Sequence, residues 1–368
     1  MGRFGASSQS GIGKWLGYLD KFLIFPQRLK RELGLRRTRT ALIGEAATVV
    51  HICDHSNAFY TRYLQGVPHL VTCHDLLAVR SALGEIPQNP TRWSGRRLQA
   101  MILSGLNRAQ RVACVSKATE RDVLRLSALG HDRVSVILNS LNYPYSSMPK
   151  PEALLRSQEI SERCRGDRPG SGFLLHVGGN QWYKNRLGVL RIYARLTESG
   201  GQLPALVMVG EAFAPEMNAF IAERRMETAV FRVEACSNEE LRALYSAASA
   251  LIFPSLVEGF GWPVIEAQAC GCPVVCSRVE PLPEVAGDGA CLVEPGDEQS
   301  YADAIRRLIA DTDERAHMIA RGDANARRFQ PAKMIADYLD CYSTLPVHAA
   351  CAEAGPSRAP TTTSSLPA

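Results

Sequence analysis

The sequence lacks any apolar run approaching the roughly 20 residues that a helix needs to cross a membrane. Its first residues also lack the apolar core and the small-residue cleavage site of a secretory signal. Of the 368 residues, 46% are hydrophobic and 21% are charged, a balance typical of globular rather than disordered proteins. These features predict a cytoplasmic protein, and the length favours two domains.

Paired motifs for metal binding are also missing. Among the 11 cysteines, Cys270, Cys272 and Cys276 lie close together but lack the C-x2-C pairs of a zinc site. The triplet 311–313 has the form D-x-D, yet it falls between two predicted helices, where Asp is a normal helix cap. The sequence therefore predicts reduced, structural cysteines, no metal site and no cofactor.

Positive charge is concentrated near the N-terminus, although the net charge of +5 is modest. Six cations occur within twelve residues: Arg28, Lys30, Arg31, Arg36, Arg37 and Arg39. With the apolar stretch 22–25 before them, they resemble a basic amphipathic segment that lies on an anionic membrane surface. A solvated helix face is the alternative interpretation, because most charge runs are only that.

From about residue 48, short β-branched runs alternate with longer segments of helical period. The predicted strands are 48–53, 69–75, 111–116 and 133–138, and the predicted helices are 56–64, 91–108 and 117–129. Helical crossovers between buried strands are typical of a parallel sheet. We therefore predict a Rossmann-like first domain over 48–150, preceded by a basic segment over 1–47.

The start of this first domain departs from the usual pattern, which opens with a strand and a glycine loop. Gly11 and Gly13 follow no apolar strand and form no G-x-G-x-x-G motif. The first domain is therefore expected to lack its initial strand. A misplaced translation start and a naturally trimmed chain both account for this.

The second half of the chain begins after a segment without periodicity, 139–151, whose Pro, Ser and Asn content predicts a linker. The strands predicted beyond it are 173–178, 205–210, 230–234, 250–255, 273–277 and 290–295. The helices predicted between and after them are 186–199, 215–227, 238–248 and 262–270, with more helix from 298 to 345. We predict a doubly wound second domain over 151–346 and a disordered tail over 347–368. The last helix of the second domain is a candidate to return to the first domain.

The most informative segment, 255–277, lies at a predicted strand-to-helix junction. Gly259 and Gly261 let the backbone approach a ligand closely, and Pro263 suits the first turn of a helix. The N-terminus of that helix is an anion site suited to a pyrophosphate. Glu266 follows about one turn later, where a carboxylate can accept two hydrogen bonds from a ribose diol, and Glu258 precedes the loop. A chance pair of acids is the alternative, but the helix is otherwise apolar.

At this point the sequence resembles the family 4 retaining glycosyltransferases of the GT-B fold, in which two Rossmann-like domains face a cleft. The resemblance rests on the E-x7-E pattern from Glu258 to Glu266, the intervening GFG, the following GCPVV strand and the turn within 276–297. It extends over residues 48 to 340. It implies that Glu266 holds the ribose and that Glu258 contacts the donor sugar. It also implies that the loop of Gly259, Phe260 and Gly261 accompanies the phosphates.

The resemblance assigns further residues to the site. It implies that Lys184, on the loop after the first strand of the second domain, neutralises the leaving diphosphate in place of a metal, although a surface cation is the alternative. It also implies that His74 faces the donor sugar, although His74 and Asp75 could equally form a capping pair. Ser116 is expected to cap the helix that follows it.

One position departs from the family. Relatives commonly carry an arginine where this chain has Gly179, directly after Gly178, which leaves the second phosphate contact in doubt. Arg186, at the start of the next helix, is the candidate substitute.

The sequence thus predicts retaining transfer of a hexosyl group from a nucleotide-sugar donor to a glycan or lipid-linked acceptor, without a metal. Polysaccharide biosynthesis is the implied context, with no nucleic-acid partner and with peripheral contact at the inner membrane face as an option. A non-catalytic nucleotide-sugar-binding subunit and a nucleotide-sugar epimerase on the same fold are the alternatives. The donor base, the sugar and the acceptor stay open, because the fold does not determine them.

Overall fold

A computed structural model of the protein describes residues 17, 19–43, 48–165, 172–198 and 203–346. Within them, two parallel β-sheets flanked by helices form two α/β domains whose ligand-facing edges meet at a cleft. This confirms the predicted GT-B architecture. The predicted tail 347–368 and the glycines at 11 and 13 lie outside the described residues.

The first sheet has four strands in the order β1-β2-β3-β4 within the described residues. The strands are β1 Val50–Ile52, β2 His69–Cys73, β3 Arg111–Cys114 and β4 Val134–Val136. They are joined by a 3₁₀ helix, His55–Tyr63, and by the helices α2 Leu77–Ala82, α3 Trp93–Arg108 and α4 Lys117–Leu126. The side chains of β2 are buried throughout, as expected for a strand covered on both faces.

In the part of the chain that the structure describes, the second sheet has six parallel strands in the order β10-β9-β8-β5-β6-β7. The strands are β5 Phe173–Val177, β6 Ala205–Val209, β7 Val230–Val233, β8 Ala250–Phe253, β9 Val274–Ser277 and β10 Cys291–Val293. All six lie within the predicted runs. The order reverses between β5 and β8, and such a switch point is where open α/β sheets bind ligands.

Helices cover both faces of the second sheet. Those between the strands are α6 Arg186–Glu198, α7 Pro215–Glu223, α8 Asn238–Ala247, α9 Trp262–Ala269 and α10 Leu282–Ala286. Those after β10 are α11 Glu298–Ala310, α12 Thr312–Ala326 and α13 Pro331–Ser343. Asp311 caps α12 by accepting from the amides of Asp313 and Glu314, so the D-x-D triplet is a helix cap as predicted.

Two connections tie the domains together. The segment between β4 and α5 (Lys150–Arg165) packs along the second domain, and its Leu141 amide donates to the Phe329 carbonyl. The sequence did not predict α5, whose apolar residues have little helical periodicity. Helix α13 returns to the first sheet, where Tyr338 and Tyr342 pack against a cluster that includes Leu70.

The basic N-terminal segment forms helix α1, Phe25–Ile43, after a π-helical turn over Asp20–Ile24. Phe22, Phe25 and Leu29 pack against the first-domain core. The apolar stretch is therefore largely used inside the protein, and only Leu23 of it is exposed. No helix among the described residues is both long and apolar enough to cross a bilayer.

Nine cysteines in the part of the chain that the structure describes are free. Cys270, Cys272 and Cys276 are buried, and burial raises the pKa of each thiol. This confirms their interpretation as reduced core residues, because the reactive thiolate form is disfavoured there.

Candidate active site

A cavity of about 300 Å³ lies where the two domains meet, at the carboxyl ends of strands from both sheets. Its lining residues are His74, Asp75, Leu77, Val115, Asn139, Tyr183, Lys184, Glu258, Gly259, Phe260, Gly261, Trp262 and Pro263. This volume is in the range of small-molecule sites. The structure thus brings together His74, Lys184 and Glu258, three residues from distant parts of the sequence.

The loop from Glu258 to Gly261 presents its backbone closely to the first domain. A Cβ atom on Gly259 would lie 2.9 Å from the carbonyl oxygen of His74 and 3.0 Å from Cβ of Asp75. Gly261 has φ +103°, in the left-handed region that favours glycine, and it precedes α9 directly. The N-terminal residues of α9, Trp262 and Pro263, therefore lie at the edge of the cavity.

Lys184 and Glu258 form a largely buried ion pair in this cavity. The Lys184 Nζ atom donates to Glu258 Oε1 at 2.8 Å, and the two side chains are 17% and 5% exposed. Lys184 ends a 3₁₀ turn, and the left-handed residue Asn185 then anchors the loop by donating to the Pro254 carbonyl. The pair gives the cavity one cation and one carboxylate at fixed positions.

His74 and Asp75 follow β2 and face this pair from the first domain. The imidazole Nε2 of His74 lies 3.0 Å from the Cys53 carbonyl, which fixes the ring at the cavity wall. Asp75 Oδ1 accepts from the Leu77 amide at 2.9 Å, so the capping role falls to the aspartate rather than to the histidine. Ser116 caps α4 as predicted, accepting from the Thr119 amide at 3.1 Å.

Glu266 lies deeper, inside α9, and is not among the residues that line the cavity. Its side chain is buried, and Oε2 accepts a hydrogen bond from the Tyr245 hydroxyl at 3.0 Å. Burial raises the pKa of Glu266 to about 7, and the Tyr245 hydrogen bond opposes that rise. An acid with this pKa in an apolar helix is a functional-site candidate, because burying an ionisable side chain destabilises the folded protein.

Gly178 and Gly179 form the turn after β5. A Cβ atom on Gly178 would lie 3.0 Å from Nε2 of the fully buried His176, and one on Gly179 would lie 2.7 Å from Oε1 of Gln181. Gly210, with φ +143°, packs directly against the Gly178 carbonyl. The two glycines thus permit a tight turn at the sheet edge, beside the cavity rather than in its wall.

Arg186 lies next to the turn of Gly178 and Gly179, where its Nη1 donates to Asn180 Oδ1. Its guanidinium is buried, donates from Nη1 to the Glu211 carbonyl at 2.9 Å, and lies 5.4 Å from the Phe213 ring centroid. The Nε and Nη2 donors have no partner among the described residues. Arg186 is absent from the cavity lining, as are Gly178, Gly179 and Glu266, so its role as the substitute phosphate ligand stays a prediction.

Sequence reasoning missed three residues of this region. Asn139, at the start of the linker, is buried and lines the cavity with an Nδ2 donor that has no partner. Tyr183 lines the cavity beside Lys184, and Tyr245 holds Glu266. Phe260 was predicted near the phosphates, and its ring is 4% exposed among core residues. The unpaired Asn139 donor was the hardest to foresee, because its burial depends on both domains.

The chain is similar to known glycosyltransferases. The family described as "Glycosyl transferases group 1" matches residues 158–324, and the family described as "Glycosyltransferase Family 4" matches residues 17–143. The O-antigen chain mannosyltransferase B of Escherichia coli is 26% identical over 316 residues, covering 83% of this chain and 81% of the relative.

Two solved structures share the fold. The sucrose-phosphate synthase of Thermosynechococcus elongatus superposes with a TM-score of 0.68 at 20% identity, covering 93% of this chain and 82% of that one. Anabaena HepE in complex with UDP-glucose superposes with a TM-score of 0.65 at 20% identity, covering 81% of this chain and 79% of that one. With family matches in both domains and the two-sheet cleft, the chain belongs to the family 4 (group 1) glycosyltransferases of the GT-B fold.

Proposed function

We propose that this glycosyltransferase moves a hexosyl group from a nucleotide-sugar donor to a glycan or lipid-linked acceptor with retention of the anomeric configuration. The observation that carries the proposal is the buried Lys184–Glu258 pair beside the N-terminus of α9, in the cavity between the domains. The cation can stabilise a diphosphate and the carboxylate a positive sugar, so the pair suits both products of bond cleavage.

In the proposed reaction the bond between the anomeric carbon and the diphosphate oxygen breaks, and a bond forms to the acceptor oxygen. The electron pair of the broken bond stays on the diphosphate, and the acceptor proton passes to a phosphate oxygen. Lys184 stabilises the leaving diphosphate, while Glu258 and His74 orient the sugar as positive charge develops on it. Glu258 is assigned no nucleophilic role in this scheme.

The nucleotide is proposed to lie along the second domain, with the ribose diol donating to Glu266 and the phosphates near the 259–261 loop. The turn of Gly178 and Gly179 gives the diphosphate close access to the backbone. HepE has been solved with UDP-glucose, which supports a nucleotide-sugar donor for a chain of this fold. The similarity to an O-antigen mannosyltransferase supports a role in polysaccharide biosynthesis.

The test is a screen of UDP-, GDP- and ADP-sugars by thermal shift, followed by turnover with the stabilising donor. A donor at one hundred times its dissociation constant adds about 2.7 kcal/mol to the stability. NMR of the product then reports its anomeric configuration. Inversion would overturn the proposed stereochemistry. Binding of a donor without transfer to any glycan or lipid-linked acceptor would favour a non-catalytic binding subunit.

We also propose peripheral contact with the cytoplasmic face of a membrane, where lipid-linked acceptors are found. The supporting observation is the exposed basic face of α1, formed by Arg28, Lys30 and Arg31. Since Phe22 and Phe25 pack internally, this contact would be mainly electrostatic. Salt-sensitive sedimentation with anionic vesicles tests the proposal.

A further inference from the structure

Tyr245 and Glu266 form a hydrogen-bonded pair in the interior of the second domain. Tyr245 lies on α8, Glu266 lies on α9, and the phenol Oη is 3.0 Å from Glu266 Oε2. The tyrosine is fully buried and the glutamate is 5% exposed. Because Oε2 is occupied by a donor, Oε1 is the oxygen left for a ligand.

The tyrosine is held in place by its own neighbours. The ring of Tyr145, from the linker, meets the ring of Tyr245 edge-on, with centroids 6.0 Å apart and planes at 80°. The hydroxyl of Tyr145 is directed elsewhere, to Asn238 Oδ1 at 3.4 Å. A hydroxyl fixed by packing loses little side-chain freedom when it binds a carboxylate, so its hydrogen bond is an effective constraint.

We propose that Tyr245 is a positioning residue for nucleotide binding, which holds Oε2 of Glu266 and thereby presents Oε1 to the ribose diol. This inference rests on the proposed function, in which Glu266 is the ribose ligand. It extends that function by assigning a role to a side chain that never touches the nucleotide. The arrangement makes the carboxylate ready to bind before the nucleotide arrives.

The hydrogen bond also affects the charge of Glu266. Burial favours the protonated acid and raises its pKa to about 7, whereas the Tyr245 donor favours the carboxylate and lowers the pKa. The other titratable groups facing the acid are Tyr145 and Cys270, and neither carries positive charge. Tyr245 is therefore the neighbouring group that favours the ionised form of Glu266.

A pH dependence of nucleotide affinity follows from this. The ribose hydroxyls are donors and need the carboxylate, so affinity falls as the pH drops below the pKa of Glu266 in the free protein. Replacing Tyr245 by Phe removes the interaction that lowers this pKa. The midpoint of the affinity profile is then expected to move to higher pH by about one unit, with a roughly fivefold loss of affinity near pH 7 that approaches tenfold at lower pH.

The experiment is calorimetric titration with UDP and GDP between about pH 6 and pH 9, using wild type, Tyr245→Phe, Tyr145→Phe and Glu266→Gln. The diphosphate itself titrates near about pH 6, but this contribution is common to all four proteins. Tyr145→Phe is the matched control, because it removes a hydroxyl from the same aromatic group that does not touch Glu266. Glu266→Gln should bind weakly and lack the pH dependence of the carboxylate.

The outcomes separate the inference from the proposed function. If Tyr245→Phe follows the wild-type profile at every pH while Glu266→Gln loses affinity, Tyr245 is not a positioning residue and Glu266 remains the ribose ligand. If Glu266→Gln binds as wild type does, the proposed nucleotide position is itself wrong. Should Tyr245→Phe fail to fold, 3-fluorotyrosine at position 245 replaces it. As a stronger donor it should move the midpoint to lower pH, and an unmoved midpoint would overturn the inference.

Discussion

At the scale of single residues, the Lys184–Glu258 pair determines how charge is distributed in the cavity. Each partner compensates the other away from water, so removing one leaves a buried charge without its counterion. In the proposed reaction, donor binding redirects part of the Lys184 charge from Glu258 to the phosphates. The Glu258 carboxylate then interacts with the sugar as positive charge develops there.

This predicts that Glu258→Gln leaves the affinity for a bare nucleoside diphosphate unchanged or higher, because Lys184 no longer shares its charge with a carboxylate. Turnover should fall by about 100-fold, since the lost interaction acts mainly in the transition state. Calorimetry with UDP and GDP and initial rates with the full donor measure the two effects. A tenfold or greater fall in diphosphate affinity would contradict the assignment of Glu258 to the sugar.

Glu266 predicts an unusual pH dependence of stability. Its pKa is raised to about 7 by burial from a model-compound value of 4.5, so the folded protein binds a proton that the unfolded chain releases. Its contribution to stability is full below the lower pKa and is lost as the pH rises through the window between the two values. The loss amounts to about 3 kcal/mol.

Glu266→Gln should abolish this loss, because the amide does not titrate. The difference in melting temperature between Glu266→Gln and wild type should therefore shift in favour of the variant from about pH 4 to pH 8, in the absence of nucleotide. Scanning fluorimetry at matched ionic strength measures it. Parallel pH profiles for the two proteins would show that Glu266 titrates normally.

At the scale of elements, the loop between β8 and α9 sets the distance between the domains at the site. Gly259 has no side chain to separate the loop from His74 and Asp75, and Ser116 Oγ lies 3.4 Å from its carbonyl. The start of α9 is thereby held against the ends of β2 and β3. A displacement of this loop moves the N-terminus of α9 relative to His74.

Gly259→Ala should therefore lower turnover by about tenfold or more while the melting temperature changes little, because misplacement by a fraction of an ångström affects catalysis first. Gly34→Ala is the matched control. That position lies in the exposed helix α1, where a Cβ atom meets nothing within 4 Å. Equal turnover of the two variants would show that the close approach at Gly259 is not needed for catalysis.

The positions of the secondary-structure elements were also what the sequence predicted most successfully. The six strands of the second sheet could be located because each is a short apolar run followed by a helix or a turn. The loop of Gly259 and Gly261 could be located because its residues are adjacent in sequence. The roles of Tyr245 and Asn139 could not be predicted from the sequence, because they depend on partners that only packing brings together.

At the scale of the whole molecule, two connections cross between the domains. The linker packs on the second domain through Tyr145, and α13 returns to the first sheet, where Tyr338 lies 2.9 Å from Thr72 Oγ1. The Nε2 atom of His51 lies 2.7 Å from Thr72 Oγ1, and its Nδ1 atom lies 2.7 Å from the Tyr342 hydroxyl. These contacts extend the polar network between α13 and the first sheet. The cavity therefore lies between domains that are linked on both sides.

The charge distribution predicts that transfer does not depend on a metal ion. In the proposed reaction, Lys184 and the α9 N-terminus supply positive charge for the diphosphate in place of a metal. Initial rates should be the same within about twofold before and after treatment with EDTA. A loss of activity that manganese restores would overturn this prediction.

The basic face of α1 predicts salt-sensitive binding to anionic membranes. Each cation near such a surface contributes about 1 kcal/mol, so replacing Arg28, Lys30 and Arg31 by Gln should weaken binding by roughly 100-fold. Sedimentation with phosphatidylserine vesicles should show wild type in the pellet at low salt and in the supernatant at high salt. Lys30 also contacts the Tyr63 ring at 5.0 Å, so the melting temperature of the variant is measured alongside.

A second triple variant distinguishes the effect of where the charges lie from the effect of the protein's net charge. Arg225, Arg321 and Arg327 are exposed on the second domain, and their replacement by Gln removes the same three charges far from α1. If the basic face of α1 is the contact surface, this variant should sediment as wild type does at low salt. Equal loss of binding in both variants would mean that net charge alone attracts the protein. Recovery of wild type in the supernatant at every salt concentration would remove the membrane proposal and leave soluble glycans as the acceptors to test.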